Sequence, residues 1–381
     1  MEEGKDPNAT TNVVKPNQSR VLPQLTPLLL LFLLLCFSIC LLIIYMIRTE
    51  VNTTLVSLTP ILQPCVQEQP KTNLDQWIKS PSKLLHTMSD KELFWRASFV
   101  PQLKNYPFTR VPKIAFMFLT KGPLPLAPLW ERFFKGHEHL YSIYVHSLPS
   151  YKANIPPASV FHGRQIPSQV AEWGQMSMCD AERRLLANAL LDMSNEYFVL
   201  VSESCIPLFN FTLTYHYITN SRYSFMGAFD DPGPVGRGRY NPNMLPEVNI
   251  SQWRKGSQWF EINRNLASVI ISDLTYYPKF EEFCRPACYV DEHYFHTLLT
   301  IQTPDLIANR SLTWVDWSRG GPHPATFGKS DITEEFMKKL HENHDCMYNG
   351  EPSSVCYLFA RKFSPGSLEP LFLLAPKFFG Y

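Results

Sequence analysis

The residues best able to do chemistry fall in Val290-Asp291-Glu292-His293, followed by Phe295, Leu298 and Leu299 at helical spacing. That spacing predicts a helix that sets Glu292 in its first turn, where the macrodipole favours a carboxylate. A carboxylate kept ionised is what a general base requires. Capping the helix is the bland use of Asp291 and Glu292, and on local pattern alone it is sufficient. His293 and His296, three apart, could share a metal ion, but no third ligand is evident. Cys284-x3-Cys288 is a poor zinc half-site, and each of the two cysteines is expected instead in a disulfide whose partner the sequence does not give. His341-x-x-His344 lies in a charged stretch and reads as solvent-facing. The other candidates are basic. Lys329 precedes Ser330-Asp331-Ile332-Thr333-Glu334, a predicted helix start with Ile332, Phe336 and Leu340 on one face, and such a start suits an anion. Arg361-Lys362 follows the apolar run Tyr357–Ala360, and Arg237 and Arg239 sit in the Gly-rich loop 232–240. Any one of these is ordinarily a solvated surface charge, yet fixed cations are also what stabilise phosphate oxygens by charge-assisted hydrogen bonds. Trp253, Trp259, Trp314 and Trp317 could stack on sugar rings, although most tryptophans serve packing.

These residues need a framework, and the sequence outlines one. Lys113–Leu119, Tyr141–Val145 and Tyr197–Val201 are short apolar runs that read as buried strands. Between them lie predicted helices at Leu126–Phe134 and roughly Gln169–Met193. Strands alternating with helices imply an α/β domain with a mainly parallel sheet, in which ligands bind beyond the carboxyl ends of the strands. Thr120-Lys121, His146-Ser147 and Ser202-Glu203-Ser204 are therefore expected to line one cleft. Neither G-x-G-x-x-G nor G-x-x-x-x-G-K-[ST] occurs, which argues against dinucleotide-dependent oxidoreductases and P-loop enzymes. No Asp-x-Asp occurs either, Asp230-Asp231 being the nearest approach.

Leu28–Ile47 is an uncharged apolar run long enough to span a bilayer, which takes ~20 residues. It is too long, and lacks the small-residue exit, for a cleaved signal peptide. Lys5, Lys15 and Arg20 before it against Arg48 after it predict a cytosolic N-terminus. The expected organisation is a cytosolic tail (1–27), a signal-anchor helix (28–47), a lumenal stem (48–108) and a lumenal domain (109–381). Pro60, Pro64, Pro70, Pro81, Pro101 and Pro107 punctuate the stem, which contains one short helix at Asp90–Ala97. Asn52, Asn210, Asn249 and Asn309 begin N-glycosylation triplets on the predicted lumenal side; Asn8 and Asn17 begin others on the opposite side. The formal net charge of +1 gives no ground for a nucleic-acid partner. Of nine cysteines, Cys36 and Cys40 fall in the apolar run, and an odd number remain for a lumen that promotes pairing.

Over residues 110–365 the chain resembles the core-2/I-branching β-1,6-N-acetylglucosaminyltransferases (glycosyltransferase family 14), particularly their plant branch. The resemblance rests on ordered stretches: Met88–Ser98, Ile114–Thr120, Tyr144–His146, Glu172–Gly174, Val201–Pro207, Ser257–Phe260, Val290–His293, Thr313–Ser318, Gly321–Phe327 and Leu358–Phe363. It implies a GT-A-like, Rossmann-type nucleotide-sugar-binding domain, inversion of configuration, UDP-sugar donors and no divalent metal. By motif position Glu292 looks like the catalytic base and Lys362 like a diphosphate ligand. A second basic ligand has three nearby choices, Arg319, His323 and Lys329. His146 matches a donor-side histidine, with Ser147 where animal members carry an acid, and Glu203 stands in the adjoining donor-side stretch. Gly236–Tyr240, with Arg237 and Arg239, resembles an acceptor-side stretch, and Trp314 is a further acceptor candidate. The expected partners are a UDP-sugar and a glycan chain of a glycoprotein or polysaccharide, met at the Golgi membrane. A lumenal glycan-binding or scaffold protein that keeps this fold without catalysis is the competing expectation.

Overall fold

The computed structural model describes residues 27–58, 83–99, 106, 110–152, 154–342 and 345–381. Asn8, Asn17, Cys65 and His344 lie outside them. The chain divides into two units, Met1–Thr72 and Asn73–Tyr381. The first contains helix α1 (Pro27–Leu58), which includes the whole apolar run. Its described side chains are those of 31–32 and 34–48, so that of Asn52 is not among them. Among the described residues no helix is long and apolar enough to cross a membrane.

The second unit is built on the strands read from sequence. β1 (Lys113–Leu119), β2 (Tyr141–His146) and β3 (Asn195–Ser202) pair in parallel, and β5 (Glu261–Asn263) adds an antiparallel edge in the order β2-β1-β3-β5. Both faces are covered, which is why these strands read as continuous apolar runs rather than as alternation. The two-residue period persists inside the core. Ala115, Met117, Phe198 and Leu200 face one cluster, while Ile114, Phe116, Val199 and Val201 face the other. Helix α4 (Met176–Leu190) covers the first face with Leu185, Leu186 and Ala189. Helix α3 (Ala127–Phe134) covers the second with Trp130, Phe133 and Phe134. The observed α4 is shorter than expected. Gly174 takes φ +76°, so 169–175 is a loop that turns into the helix at Met176.

A second sheet, with order β4-β9-β6, joins Ile206–Pro207, Phe359–Arg361 and Thr313–Val315. β9 runs antiparallel to β4 and parallel to β6. The Phe363 amide donates to the Ser204 carbonyl at 2.9 Å, which brings the end of β9 against the loop after β3. Cys284–Cys288 and Cys346–Cys356 are disulfides; Cys179 and Cys205 are buried free thiols.

The short helix α2 (Asp90–Ala97) forms where expected, started by a Ser89–Glu92 capping box. Its place differs from that expected of a stem. Leu93 and Ala97 are buried in the core beside α4. The Arg184 guanidinium grips the Asp90 carboxylate with Nε at 2.9 Å and Nη2 at 2.8 Å. The Phe94 and Tyr277 rings lie 4.8 and 3.7 Å from the Arg183 guanidinium. A helix tied by a buried leucine and a bidentate ion pair belongs to the globular unit, so that unit begins before residue 109.

Candidate active site

A cleft of about 640 Å³ opens at the carboxyl ends of β1, β2 and β3, where the parallel sheet predicts it. Thr120, Lys121, His146, Ser202 and Glu203 line it. Ser147 instead is buried, its hydroxyl accepting from Gln165 Nε2 at 2.7 Å, and Ser204 faces a neighbouring shallow groove.

Glu292 and Asp291 also line the cleft. The expected helix does not begin there. Tyr289 takes φ +57°, Val290–Glu292 forms a 3-10 turn, and the α-helix, α8, starts only at Tyr294 (Tyr294–Gln302). Glu292 is therefore held by cations rather than by a helix dipole. Lys255 Nζ lies 3.0 Å and Arg239 Nη1 3.1 Å from the same oxygen, Oε2. Oε1 has no hydrogen-bond partner among the described residues. Arg239 also stacks over the Tyr289 ring at 4.0 Å. Asp291 is almost fully buried, and burial together with the neighbouring Glu292 charge raises its carboxyl to about 7.

The two histidines of this segment are structural. His293 Nδ1 donates to the Arg254 carbonyl at 2.8 Å, and His296 Nε2 to the Ser257 carbonyl at 2.9 Å. Burial lowers them to about 3 and about 4, so both are neutral props for the loop that carries Lys255. Gly256 in that loop donates to the Glu292 carbonyl at 2.9 Å. A Cβ on it would stand 1.9 Å from the Gly227 carbonyl oxygen, a contact only glycine avoids. Among the described residues no three His, Cys, Asp or Glu side chains group as metal ligands.

The cationic wall comes from the end of β9. Lys362 and Arg361 both line the cleft. Arg361 is partly buried, over the Trp259 ring at 4.0 Å, and burial lowers its pKa. Burial, and after it the Arg361 charge, lower that of Lys362, while Glu203 opposes this. Burial, then Arg184, lowers His146 to about 4, leaving a neutral imidazole; its Nε2 lies 3.4 Å from the Gln169 amide nitrogen.

The remaining sequence candidates separate. His323 lines the cleft, its ring 5.0 Å from Trp173. Arg319 is exposed, and Lys329 pairs with Glu369 at the surface, both 69% exposed; neither lines the cleft. Lys329–Asp331 is a 3-10 turn, and the next helix, α9 (Glu334–His341), starts from a Thr333 cap. Arg237 is engaged by Asp230 at 2.7 Å on the surface. Trp314 packs against Phe327 and Phe336, and Trp253 is buried; Trp259 and Trp317 line the cleft with Trp173. His341 does not face solvent freely, since both ring nitrogens meet carbonyls, of Met337 and Leu208, at 2.9 and 2.7 Å. Asn210 and Asn249 use their side-chain oxygens to hold local backbone, and the Asn309 oxygen accepts from the distant Ala228 amide at 2.6 Å. Lys121 and Arg361, expected from the strand-end loop and the basic pair, face the cleft, and so does Lys255, which the sequence reading did not single out. A basic residue inside a 255–259 loop rich in glycine and tryptophan was the available signal for Lys255.

A mainly parallel α/β sheet whose strand-end cleft is lined by a carboxylate together with lysine and arginine has the make-up of a GT-A-like glycosyltransferase. The core-2/I-branching enzyme family model matches residues 114–341, more than half of the chain, and the chain belongs to that family, glycosyltransferase family 14. A rice protein (Oryza sativa subsp. japonica), glycosyltransferase BC10, is 38% identical over 298 residues, covering 66% of this chain and 74% of its own length, and places the chain with the plant branch.

Proposed function

We propose that this chain is an inverting glycosyltransferase that moves a GlcNAc-like or related sugar from a UDP-sugar to a glycan acceptor. The reading rests on one arrangement: Glu292 held through Oε2 by two cations, with Oε1 unpartnered on the cleft wall. An acceptor hydroxyl gives its proton to Oε1 as its oxygen attacks the anomeric carbon. The bond from that carbon to the diphosphate breaks, and UDP leaves with the electron pair. Lys362, with Arg361 beside it, stabilises the departing charge in place of a divalent ion. The site of action is the Golgi lumen, with Leu28–Ile47 as a type II anchor. This is supported by the length and apolarity of that run and by family membership. Asn210, Asn249 and Asn309 fit glycan attachment, because their amide nitrogens carry no hydrogen-bond partner among the described residues.

The test is saturable binding of one member of a UDP-sugar panel to the detergent-solubilised chain in the presence of EDTA. Lys362→Ala should weaken UDP binding by at least tenfold. A folded chain that binds no UDP-sugar, with or without Mn²⁺, would overturn the reading in favour of a non-catalytic glycan-binding scaffold.

A further inference from the structure

Between the base and the sheet lies a group of side chains that the mechanism above does not use. Gln258 lines the cleft in the segment that carries Lys255, and its Nε2 donates to Glu182 Oε1 at 2.7 Å. Glu182, on α4, is fully buried, and its second oxygen, Oε2, has no partner. Asp291, also on the cleft wall and 3% exposed, has an equally unpartnered oxygen, Oδ1. Burial, then the nearby Asp291 charge, raises Glu182 well above the ordinary carboxylate range. Asp180 on α4 adds to the negative potential at Glu182, while Arg239 and Lys255 oppose the rise at Asp291. Burial and mutual repulsion push both carboxyls towards their neutral forms.

Burying two acids with unfilled oxygens is costly, and their joint effect is on Gln258. With its NH₂ committed inward to Glu182, the Gln258 amide turns its carbonyl oxygen outward, where it has no partner among the described residues. We propose that Glu182, Gln258 and Asp291 form a hydroxyl- and amide-reading subsite, in which Gln258 Oε1 accepts from an O–H or N–H of the sugar held beside Glu292. The proposal rests on the transferase reading above and deepens it. Gln258 touches the sugar; Glu182 is a positioning residue that fixes the amide's orientation, and buried Asp291 acts on Glu182.

That hydrogen-bond donor could belong to the donor sugar or to the acceptor glycan, and two measurements on the full chain separate them. The first compares binding of UDP with binding of UDP-N-acetylglucosamine and UDP-glucose, for the parent, Gln258→Leu and Glu182→Gln. The second compares acceptor KM and kcat at saturating donor. If the subsite reads the donor sugar, Gln258→Leu loses about tenfold of the affinity that the sugar adds over UDP, with UDP binding unchanged. If it reads the acceptor, acceptor KM rises about tenfold and donor binding holds. Glu182→Gln, which lets the amide turn over, should give a smaller loss of the same kind, a dependence that a merely structural residue would not share. Unchanged donor increments and unchanged acceptor KM in Gln258→Leu overturn the subsite while leaving the transferase intact. Failure of the parent itself to bind UDP overturns the transferase reading and the subsite with it.

Discussion

Removing the Asp90 carboxylate tests whether α2 is part of the working domain. Arg184 holds it with bidentate contacts of 2.8–3.0 Å, and the side chains are 6% and 32% exposed. One further guanidinium nitrogen of Arg184, Nη1, is already buried without a partner. Deleting one member of a buried pair costs about 3–5 kcal/mol, chiefly through the stranded charge; the water reaching Asp90 reduces this to about 2–3 kcal/mol. With a urea slope near 3 kcal/mol/M, the unfolding midpoint of Asp90→Ala should fall by about 0.7–1 M. The effect should also reach the cleft. Asp90 accepts from Gln169 Nε2 at 3.2 Å, and Gln169 lines the cleft with its amide nitrogen toward His146. UDP-sugar affinity should therefore weaken in the variant. Because the loss comes from an orphaned cation, Arg184→Met in the Asp90→Ala background should restore part of the stability, giving a coupling energy of about 2 kcal/mol in the double-mutant cycle. If Asp90→Ala unfolds at the parent midpoint and the cycle shows no coupling, α2 is only a stem segment resting on the surface.

Glu292→Gln keeps the shape of the cleft and removes the proton acceptor; turnover should fall by about 10²–10⁴ with UDP affinity retained, and near-parental turnover would refute Glu292 as base. Glu261, fully buried on β5, is raised from 4.5 to about 8 by burial, against hydrogen bonds from Leu312 and Thr313. The folded chain holds this proton where the unfolded chain releases it, so the stabilisation is complete below pH 4.5 and fades as pH rises through about 8. Asp291, raised to about 7, acts in the same direction. Denaturation midpoints should accordingly decline from pH 5 to 8, and Glu261→Gln should flatten that decline, its share being on the order of 4 kcal/mol. Gly256→Ala should destabilise the domain by about 2 kcal/mol or more and depress turnover, since the loop must move off the Gly227 carbonyl and take Lys255 with it. Parental stability in that variant would show that the loop has room.

The sequence made the framework legible where local pattern and tertiary role agree. β1, β2 and β3 are sandwiched on both faces, so their burial is written as unbroken apolar runs. The three short strands of the second sheet, two or three residues each, carry no such period; only the apolar run into Arg361 betrayed one of them. Helix starts were displaced where left-handed residues intervene, at Gly174 and at Tyr289. The site was half legible. Family resemblance picked out Glu292 and Lys362, which both reach the cleft. The residues that hold them depend on partners far along the chain: Lys255 meets Glu292 37 positions away, Arg184 meets Asp90 across 94 and Gln258 meets Glu182 across 76. No periodicity encodes such meetings. For the same reason a capped amphipathic turn revealed α2 as a helix but not where it docks.

The Cys284–Cys288 bond closes a small loop immediately before the base. Tyr289, the next residue, presents its ring to Arg239, and Arg239 in turn holds Glu292. That bond therefore stands two contacts from the carboxylate assigned above as proton acceptor, Tyr289 to Arg239 and Arg239 to Glu292. Reduction of the bond would free the loop next to Tyr289, and the Arg239 contacts to Tyr289 and Glu292 are the route by which that could be felt in the cleft. For the proposed transferase, turnover of material from an oxidising and from a reducing host should accordingly be compared, and not yield alone.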